Sequence, residues 1–391
     1  MLRGGWGGKP QGEGELINSV FAVQMNIYLT LLLISIAIHA CLKLERREQG
    51  NPLFLVLLLL TLLILVLETF SVFFAAPDYQ RTGGLQKIIE VLGFALAPLL
   101  PFCISLYSQQ RVFRYDSSRN RKWSRLSLPL LLNLLIAAVS YFLAPATTGA
   151  GHGEAKSLLA SFSYLTTGFY YLVNLLVIYM GRWKVTREEC LVLGMLSVSP
   201  LLFSLFQLSH FIWSGVTIAL VINYVYIVHN QAKRDPLTGL ANRMAYEEYV
   251  AAFQRKTGRN LAALNIDLDD FKQINDSFGH HEGDRALQLF AQDLAATFAG
   301  KGLAVRLGGD EFLVLLQEER PEALQRYVAE LQERILTHTR QLQLPYMIRF
   351  SYGLTTLDEG YQSVREMVER SDALMYAKKK GKEGRTRSNI R

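Results

Sequence analysis

Cysteine is scarce in this sequence, and so are charges within its longest apolar runs. The chain has three cysteines in 391 residues, Cys41, Cys103 and Cys190, and their spacing fits no zinc pattern. We therefore expect neither a zinc module nor the disulfide framework that staples small secreted domains. The formal net charge is +7, but no segment interleaves basic and aromatic residues as nucleic-acid readers do, so we expect no nucleic-acid partner.

Long apolar segments fill the N-terminal part of the chain. Residues 52–76 contain a single charge, Glu68, over a length that spans the roughly 30 Å hydrocarbon core of a bilayer as a helix. A buried helix of a soluble protein is rarely apolar on every face for so long. Seven such segments predict an all-α transmembrane bundle in a bacterial cell membrane: 18–42, 52–76, 87–108, 126–145, 158–180, 190–209 and 211–229.

Basic residues between these segments indicate the orientation of the bundle. The odd-numbered connections, which include residues 43–47, 111–125 and 182–187, are rich in lysine and arginine, whereas the even-numbered ones are poor in them. Because basic loops stay on the cytoplasmic side, we predict the N-terminus outside and everything after residue 230 inside. The basic loops then lie beside anionic membrane lipid.

Two features of the predicted helices are singled out. Glu68 lies deep in the second segment, where a charge costs roughly 3 kcal/mol. We interpret it either as a sensor residue or as a neutral, hydrogen-bonded acid that fixes the packing. Pro98 and Pro101 predict a kink in the third helix.

The domain organisation follows from this pattern. We predict a flexible, glycine-rich start over residues 1–15, a transmembrane sensor and anchor domain over 16–230, and a cytoplasmic domain over 231–391. The seventh helix ends near His229, and the first C-terminal motif begins at Asp235, so this helix is expected to pass motion or dimer geometry directly onward. The C-terminal domain alternates strands and helices, which favours an α+β sheet with helices on one face.

Residues 306–312 combine two glycines with two carboxylates. Gly308 and Gly309 precede Asp310 and Glu311 between apolar runs, which predicts a β-hairpin. Glycines let backbone approach a ligand closely, and carboxylates at a hairpin tip suit Mg²⁺ and a phosphate-bearing substrate. An ordinary hairpin with an acidic turn is the alternative for these residues alone.

A second acidic motif lies about 40 residues upstream. The apolar strand 261–266 ends in Asp267 and Asp269, and Lys272 and Asn275 follow within a short helix. Alternation puts both aspartates on one side of the strand end. The set offers metal ligands, a phosphate cation and a group able to read a base edge, a mixture that a merely solvated acidic helix start leaves unexplained.

Together these motifs resemble those of the GGDEF family, the diguanylate cyclases. Residues 235–243, DPLTGLANR, match the entry motif of that family, and residues 351–353 and 371–372 match later ones. The resemblance covers the chain from about Asp235 to its C-terminus. It implies a palm-like, ferredoxin-related α+β nucleotidyl cyclase fold.

By this resemblance the reaction is condensation of two GTP molecules into cyclic di-GMP with release of two pyrophosphates. Two Mg²⁺ ions per site, replaceable by Mn²⁺, would be held by Asp267, Asp310 and the Leu268 carbonyl. Glu311 joins the metal cluster or helps deprotonate the attacking hydroxyl, and the sequence leaves these two roles open. Transfer of this kind depends mostly on positioning and charge neutralisation.

The same resemblance implies contacts to the substrate. Lys272 pairs with the terminal phosphates, Asn275 and Asp284 read the guanine edge, and Gly308 and Gly309 let the hairpin pass close to the ribose and α-phosphate. One domain holds one GTP, so catalysis requires a homodimer, and dimer geometry is the natural control point.

Two departures from the family pattern are visible. Ala299 and Gly302 replace the Arg-x-x-Asp of the product site, so feedback inhibition through it is not expected. A Tyr-x-Ala-Lys-x-x-Gly-Arg pattern near the C-terminus is one residue short, which leaves Lys378 or Lys379 as the phosphate lysine, and we favour Lys378. Lys382 replaces the arginine, so a bidentate contact becomes a point charge.

Two other functions are weighed against the cyclase. A degenerate domain that binds GTP or cyclic di-GMP as a signalling scaffold is opposed by the intact Asp267, Asp310 and Glu311 and mildly favoured by the altered tail. A transporter with a regulatory tail is disfavoured because intramembrane charges are scarce and inverted repeats are not evident.

Overall fold

The computed structural model describes residues 11–43, 51–74, 83–113, 127–143, 150–205, 212–253, 261–317, 320–357 and 363–388. The chain divides into two compact units, Met1–Val228 and His229–Arg391. In the described part of the chain, the first unit is built from helices, and the sheet lies in the second.

All seven predicted segments are helical over most of their described residues, and the helix of the seventh segment continues past Val228, where the first unit ends. The helices are α1 (Gln11–Lys43), α2 (Asn51–Phe74), α3 (Gly83–Leu96), α4 (Leu99–Val112), α5 (Leu128–Leu143), α6 (Ala150–Gly181), α7 (Arg187–Leu205) and α8 (Ile212–Ala232). The first helix begins inside the stretch predicted to be flexible. Residues 11–15 are helical.

Four helical stretches are long and apolar enough to cross a membrane. They are Val23–Lys43, Pro52–Phe73, Val91–Val112 and Leu159–Gly181, and a shorter apolar helix covers Leu128–Val139. The predicted count of seven spans therefore stays a prediction. Residues 44–50 and 114–126, which carry most of the basic residues behind the predicted orientation, lie outside the described residues.

The predicted kink in the third segment is confirmed, since a break at Ala97 and Pro98 separates α3 from α4. Pro98 has no N–H group with which to bond the Phe94 carbonyl four residues earlier. That carbonyl instead accepts a hydrogen bond from Asn133 Nδ2 at 3.2 Å and lies 2.7 Å from Ser163 Oγ. Side chains of two neighbouring helices thus bond the Phe94 carbonyl, which lacks its usual helical donor because of the proline.

The second unit contains a four-stranded antiparallel sheet with the strand order β2-β3-β1-β4. Its strands are β1 (Ala262–Leu268), β2 (Gly302–Gly308), β3 (Glu311–Leu316) and β4 (Phe350–Thr356). Its helices are α9 (Arg243–Phe253), α10 (Phe271–Phe278), α11 (His280–Thr297), α12 (Pro321–Gln341) and α13 (Val364–Ser388). The α+β class and the predicted hairpin are confirmed.

Helices cover both faces of this sheet, so the expectation of helices on one face is wrong. Leu264 and Val314 pack with Phe290 of α11 on one face, whereas Ala263 packs with Met367 of α13 on the other. All seven residues of β1 are buried. Because successive side chains of a strand point to opposite faces, burial of every residue means that both faces are covered.

Candidate functional site

The register of the sheet brings the two acidic motifs together. In the pairing of β1 with β3, Asp267 lies opposite Glu311, and the Leu268 N–H donates to the Asp310 carbonyl at 3.3 Å. Asp269 lies beyond the end of β1, where its carboxylate accepts a 2.6 Å hydrogen bond from Ser351 Oγ. Residues far apart in the sequence thus meet at one end of the central strands.

The turn between β2 and β3 requires its two glycines. Gly308 and Gly309 have φ angles of +154° and +52°, and a side-chain carbon added at either one would meet nothing within 4 Å. The requirement is therefore one of backbone conformation, and the space above the turn is open to a ligand. Arg306 secures the turn by donating to the Gly309 carbonyl from Nε at 3.1 Å and from Nη2 at 2.8 Å.

The carboxylates at this strand end repel one another. Burial raises the pKa of Asp267, and the charges of Asp310 and Asp269 raise it further. Burial also raises the pKa of Glu311, as do the charges of Asp372, Asp267 and Asp310. Such a cluster gains stability from any cation placed among its members.

Among the lysines whose side chains the structure describes, one reaches these carboxylates. Lys379 of α13 forms an ion pair with Asp267 through Nζ and Oδ1. Burial alone would lower the pKa of Lys379, but the hydrogen bond and the charge of Asp267 raise it. Lys378 instead lies over the Tyr352 ring, 4.1 Å from its centroid. The structure therefore brings Lys379 rather than Lys378 to the acidic cluster, and the side chain of Lys382 lies outside the described part of the chain.

The period of the α-helix explains why Lys379, and not Lys378, lies at the acidic cluster. Ser371 and Met375 are buried on the face of α13 that packs on the sheet, and Lys379 follows at the next four-residue step. The sequence motif is one residue shorter than the family pattern, so it does not show which side of the helix faces the sheet. The sequence alone therefore could not decide between Lys378 and Lys379.

The donor set fits a divalent metal ion in its chemistry. Asp267, Asp310 and Glu311 offer carboxylate oxygens and Leu268 offers a carbonyl, the hard ligands that Mg²⁺ and Mn²⁺ prefer. As the described residues are arranged, no three acidic, histidine or cysteine side chains converge closely enough to hold such an ion. The Lys379 ammonium instead supplies the positive charge at Asp267.

The predicted substrate contacts lie on α10 and α11. A side-chain carbon built on Gly283 would come within 2.0 Å of Asn275 Oδ1, so only glycine lets the Asn275 amide pack against the start of α11. Asp284 follows Gly283 directly and is exposed, as is Lys272 on α10. The structure thus brings Asn275 to the helix start that carries Asp284.

Sequence reasoning missed the central role of Arg306. Besides its contacts to Gly309, it donates from Nη1 to Asp235 Oδ1 at 2.9 Å, and Asp235 also accepts from the Thr238 N–H and hydroxyl at 2.8 and 2.6 Å. The arginine thereby joins residues 235–238 to the Gly308-Gly309 turn. Its position beside the paired glycines was a signal, but no spacing rule links it to a carboxylate 71 residues away.

The later motifs are built for packing. Asn265 of β1 donates from Nδ2 to the Val368 carbonyl and to Ser371 Oγ, at 2.9 and 2.8 Å. A side-chain carbon at Gly353 would come within 1.8 Å of the Ser371 carbonyl. These residues let α13 lie close against β1 and β4, which carries Lys379 to the acidic cluster.

Comparison with known proteins places this unit in context. Residues 232–385 match the family model described as diguanylate cyclase, GGDEF domain. The probable diguanylate cyclase DgcJ of Escherichia coli is 34% identical over 155 residues, which cover 39% of this chain and 30% of that protein. Diguanylate cyclase DgcP of Pseudomonas aeruginosa is 35% identical over 164 residues, which cover 41% of this chain and 24% of that protein. This chain therefore spans less than a third of the length of either relative.

A solved structure is similar to part of this chain. It is the GGDEF domain of DgcB from Caulobacter crescentus in complex with c-di-GMP, which is 29% identical, with 38% of this chain and 91% of that chain covered and a TM-score of 0.35. The family match, the paired glycines and the acidic residues at neighbouring strand ends all lie in the second unit. Residues 232–385 are therefore the part of this chain that is similar to the GGDEF domain of diguanylate cyclases.

Proposed function

We propose that this chain is a membrane-bound diguanylate cyclase that condenses two GTP molecules into cyclic di-GMP and two pyrophosphates. The observation that carries the proposal is the pairing of β1 with β3, which sets Asp267 opposite Glu311 beside the Gly308-Gly309 turn. The family match supports it. Four apolar helical stretches near the N-terminus support membrane attachment.

The residues of the site divide the work of the reaction between them. Asp267, Asp310, Glu311 and the Leu268 carbonyl would hold a divalent cation, either Mg²⁺ or Mn²⁺. When bound, such an ion supplies charge neutralisation at the phosphates and acidifies the attacking hydroxyl. The open Gly308-Gly309 turn leaves room for the ribose and the α-phosphate beside these ligands.

Recognition of the nucleotide belongs to the neighbouring helices. Asn275 and Asp284 present an amide and a carboxylate that match the donors and acceptors of a guanine edge, which discriminates strongly against adenine. Lys272 binds the terminal phosphates. We assign the second phosphate lysine to Lys379, because it already lies at Asp267 while Lys378 covers the Tyr352 ring.

The two lysines can be separated by substitution. Lys379→Ala should raise KM for GTP by about tenfold, because a charge-assisted contact to phosphate is lost. Lys378→Ala removes only a contact to an aromatic ring and should leave KM within about twofold. Equal effects of the two substitutions would contradict the assignment to Lys379.

Catalysis requires a homodimer, because one domain holds one GTP and each 3′ hydroxyl attacks the nucleotide of the partner. We propose seven membrane spans, an outside N-terminus and a cytoplasmic GGDEF domain, with the helical region controlling how the two domains meet. A cysteine-accessibility scan of the connections between helices, in intact cells, tests this topology. Labelling of a connection from the wrong side would refute it.

Glu68 is the proposed stimulus site of the helical region. Its Oε2 is buried, and the neighbouring polar side chain that interacts with its carboxyl is Asn26, which is 1% exposed. Polar and ionisable groups buried inside an apolar bundle are costly and mark functional positions. Glu68→Gln removes the ionisable group and keeps its shape, so an unchanged response of cyclase output to growth conditions would count against this role.

The first experiment is a direct assay of the reaction. Purified protein in detergent is incubated with GTP and Mg²⁺, and cyclic di-GMP is measured by mass spectrometry beside Asp310→Ala. Product from the wild type alone supports the cyclase. Absence of product from a folded dimer that binds GTP, with and without its membrane lipids, contradicts it.

One observation favours a second candidate, a catalytically degenerate GGDEF domain that binds GTP or cyclic di-GMP as a signalling scaffold. The described acidic residues do not converge into a metal cage, and Lys379 neutralises Asp267 in their place. A scaffold of this kind would bind either nucleotide with equal affinity in Mg²⁺ and in EDTA, whereas the cyclase requires the metal for tight binding of GTP. Titration calorimetry under both conditions distinguishes the two.

A further inference from the structure

The end of α8 and the start of α9 are held together by charges that the proposed catalysis does not use. Glu248 of α9 receives Lys233 Nζ on Oε2 at 2.6 Å, and its Oε1 lies 3.2 Å from His229 Nε2. The hydrogen bond from Lys233 is the main reason that the pKa of Glu248 is lowered. One carboxylate thus holds two side chains from the last turn of α8 and the residue after it, all within the second unit.

Asn242 makes a second connection at the same place. Its Nδ2 donates to the Ala232 carbonyl at 2.7 Å and to the Arg234 carbonyl at 3.3 Å, and its own N–H donates to the Lys233 carbonyl at 2.9 Å. Its Oδ1 accepts the N–H groups of residues 244 and 245 and so caps the start of α9. A single side chain therefore bonds backbone carbonyl groups at the end of one helix and backbone N–H groups at the beginning of the next.

This connection continues to the catalytic turn. Ala241, next to Asn242, accepts the Arg306 N–H on its carbonyl at 2.8 Å, and it forms bridges with both Arg234 and Val305. Arg306 in turn holds the Gly309 carbonyl with its side chain. An unbroken series of hydrogen bonds therefore leads from the end of α8 to the paired glycines.

We propose that Glu248 is a positioning residue that clamps the end of α8 to α9 and so keeps residues 233–242 in register with the Gly308-Gly309 turn. The proposal deepens the cyclase function and rests on it for its effect on turnover. The clamp makes the end of α8 and the start of α9 one rigid element. A displacement of α8 is then passed to the turn instead of being absorbed in the connecting residues.

The neighbouring ion pair provides a matched control. Glu247 stands one position earlier on α9 and pairs with Arg365 of α13 at 2.9 Å. Its side chain is 48% exposed, close to the 51% of Glu248. Glu247→Gln removes an equivalent surface charge and ion pair but leaves the end of α8 untouched, so only the place of the contact differs between the two variants.

The test compares Glu248→Gln with Glu247→Gln in the full-length protein in lipid nanodiscs. Backbone hydrogen exchange over residues 229–242 should become about three- to fivefold faster in Glu248→Gln and stay at the wild-type rate in Glu247→Gln. Turnover with GTP should fall by about threefold or more in Glu248→Gln, with KM within about twofold, because positioning rather than binding is lost. The charge-swapped double variant Lys233→Glu with Glu248→Lys should restore most of both losses.

Two results would overturn the proposal. Equal exchange over residues 229–242 in the two glutamine variants would show that Glu248 does not clamp the end of α8, whatever the turnover. Faster exchange with unchanged turnover would show that the clamp does not position the turn. Because exchange is read without substrate, a protein that makes no cyclic di-GMP would refute the cyclase proposal separately and leave the clamp measurable.

Discussion

Large apolar side chains such as Leu31, Leu165 and Leu191 are exposed in the N-terminal unit, whereas side chains of the same kind such as Phe290 and Val314 are fully buried in the C-terminal unit. All but six of the exposed large apolar residues that the structure describes lie in the N-terminal unit; the six are Met244, Phe278, Leu342, Met347, Leu374 and Tyr376. The C-terminal unit is therefore organised by burial of apolar surface from water. An apolar surface as extensive as that of the N-terminal helices is typical of a membrane or protein interaction surface.

The interiors of the two units differ as well. The second unit buries two layers of aliphatic and aromatic side chains on either side of its sheet. The helical unit also buries polar groups such as Asn133, Ser163 and Asn174, and it pairs them across helices, as between Asn174 Nδ2 and Ser197 Oγ at 2.7 Å. Where burial of apolar surface offers little specificity, hydrogen bonds and close packing choose the partners.

The prediction with the largest expected effect tests whether the proposed catalytic activity depends on the acidic cluster of the second unit. Asp310→Ala removes a carboxylate from the acidic cluster and should lower formation of cyclic di-GMP by about 10³-fold, because charge at the phosphates is no longer neutralised. Product is measured by mass spectrometry. Glu333→Ala on the exposed face of α12 serves as the control and should retain full activity. Substantial activity of Asp310→Ala would place the chemistry elsewhere.

A pair of glycines tests how tightly the second unit is packed. Gly353→Ala would set its new carbon 1.8 Å from the Ser371 carbonyl and 2.6 Å from the Met375 N–H nitrogen, so we expect a loss of about 3 kcal/mol in the free energy of unfolding. Gly381→Ala meets nothing within 4 Å inside α13 and should gain about 0.5–1 kcal/mol. Thermal unfolding of the full chain in detergent measures both. If the two substitutions shift the transition in the same direction, the close approach of α13 to β4 is wrong.

A third prediction concerns the pH dependence of the entry motif. Burial alone would raise the pKa of Asp235, but hydrogen bonds from Thr238 and Arg306 outweigh it and lower the pKa below 3.8. A lowered folded-state pKa contributes stability above 3.8 that disappears as the pH falls through the folded-state pKa. Asp235→Asn should therefore cost about 1.5 kcal/mol at pH 7, the range for a hydrogen bond to a charged group. In denaturant titrations at several pH values, this difference should shrink in acid, and a constant difference would refute the ionic origin.

The smallest expected effect tests the polar interior of the first unit. Asn133→Ala leaves the Phe94 and Ala95 carbonyls beside the helix break without their amide donor, which should cost about 1 kcal/mol in an apolar bundle. Ser35→Ala is the control, because exposed Ser35 donates a hydrogen bond to the Leu31 carbonyl of its own helix. Resistance of the helices to unfolding in detergent is the measurement. Equal stability of both variants would mean that the proline break needs no support from its neighbours.

Local features of the sequence were enough to predict where most of the helices and strands lie. The positions of the helical segments, the hairpin around Gly308 and Gly309 and the break at Pro98 each follow from a pattern within a few turns of chain. The failures were of another kind. Whether helices cover one face of the sheet or both, and which of Lys378 and Lys379 turns inward, depends on how separate elements pack, and no short pattern contains that information.

The sequence by itself determined which residue types stand at the site, because the paired glycines, the two acidic motifs and the long apolar runs are properties of the chain alone. Only the tertiary structure decided how they meet. The antiparallel register set Asp267 opposite Glu311, the packing of α13 brought Lys379 to Asp267, and Arg306 linked Asp235 to Gly309. Each of these contacts joins residues of separate elements or depends on which side of a helix faces the sheet. These arrangements form only when the apolar faces of the elements have packed together.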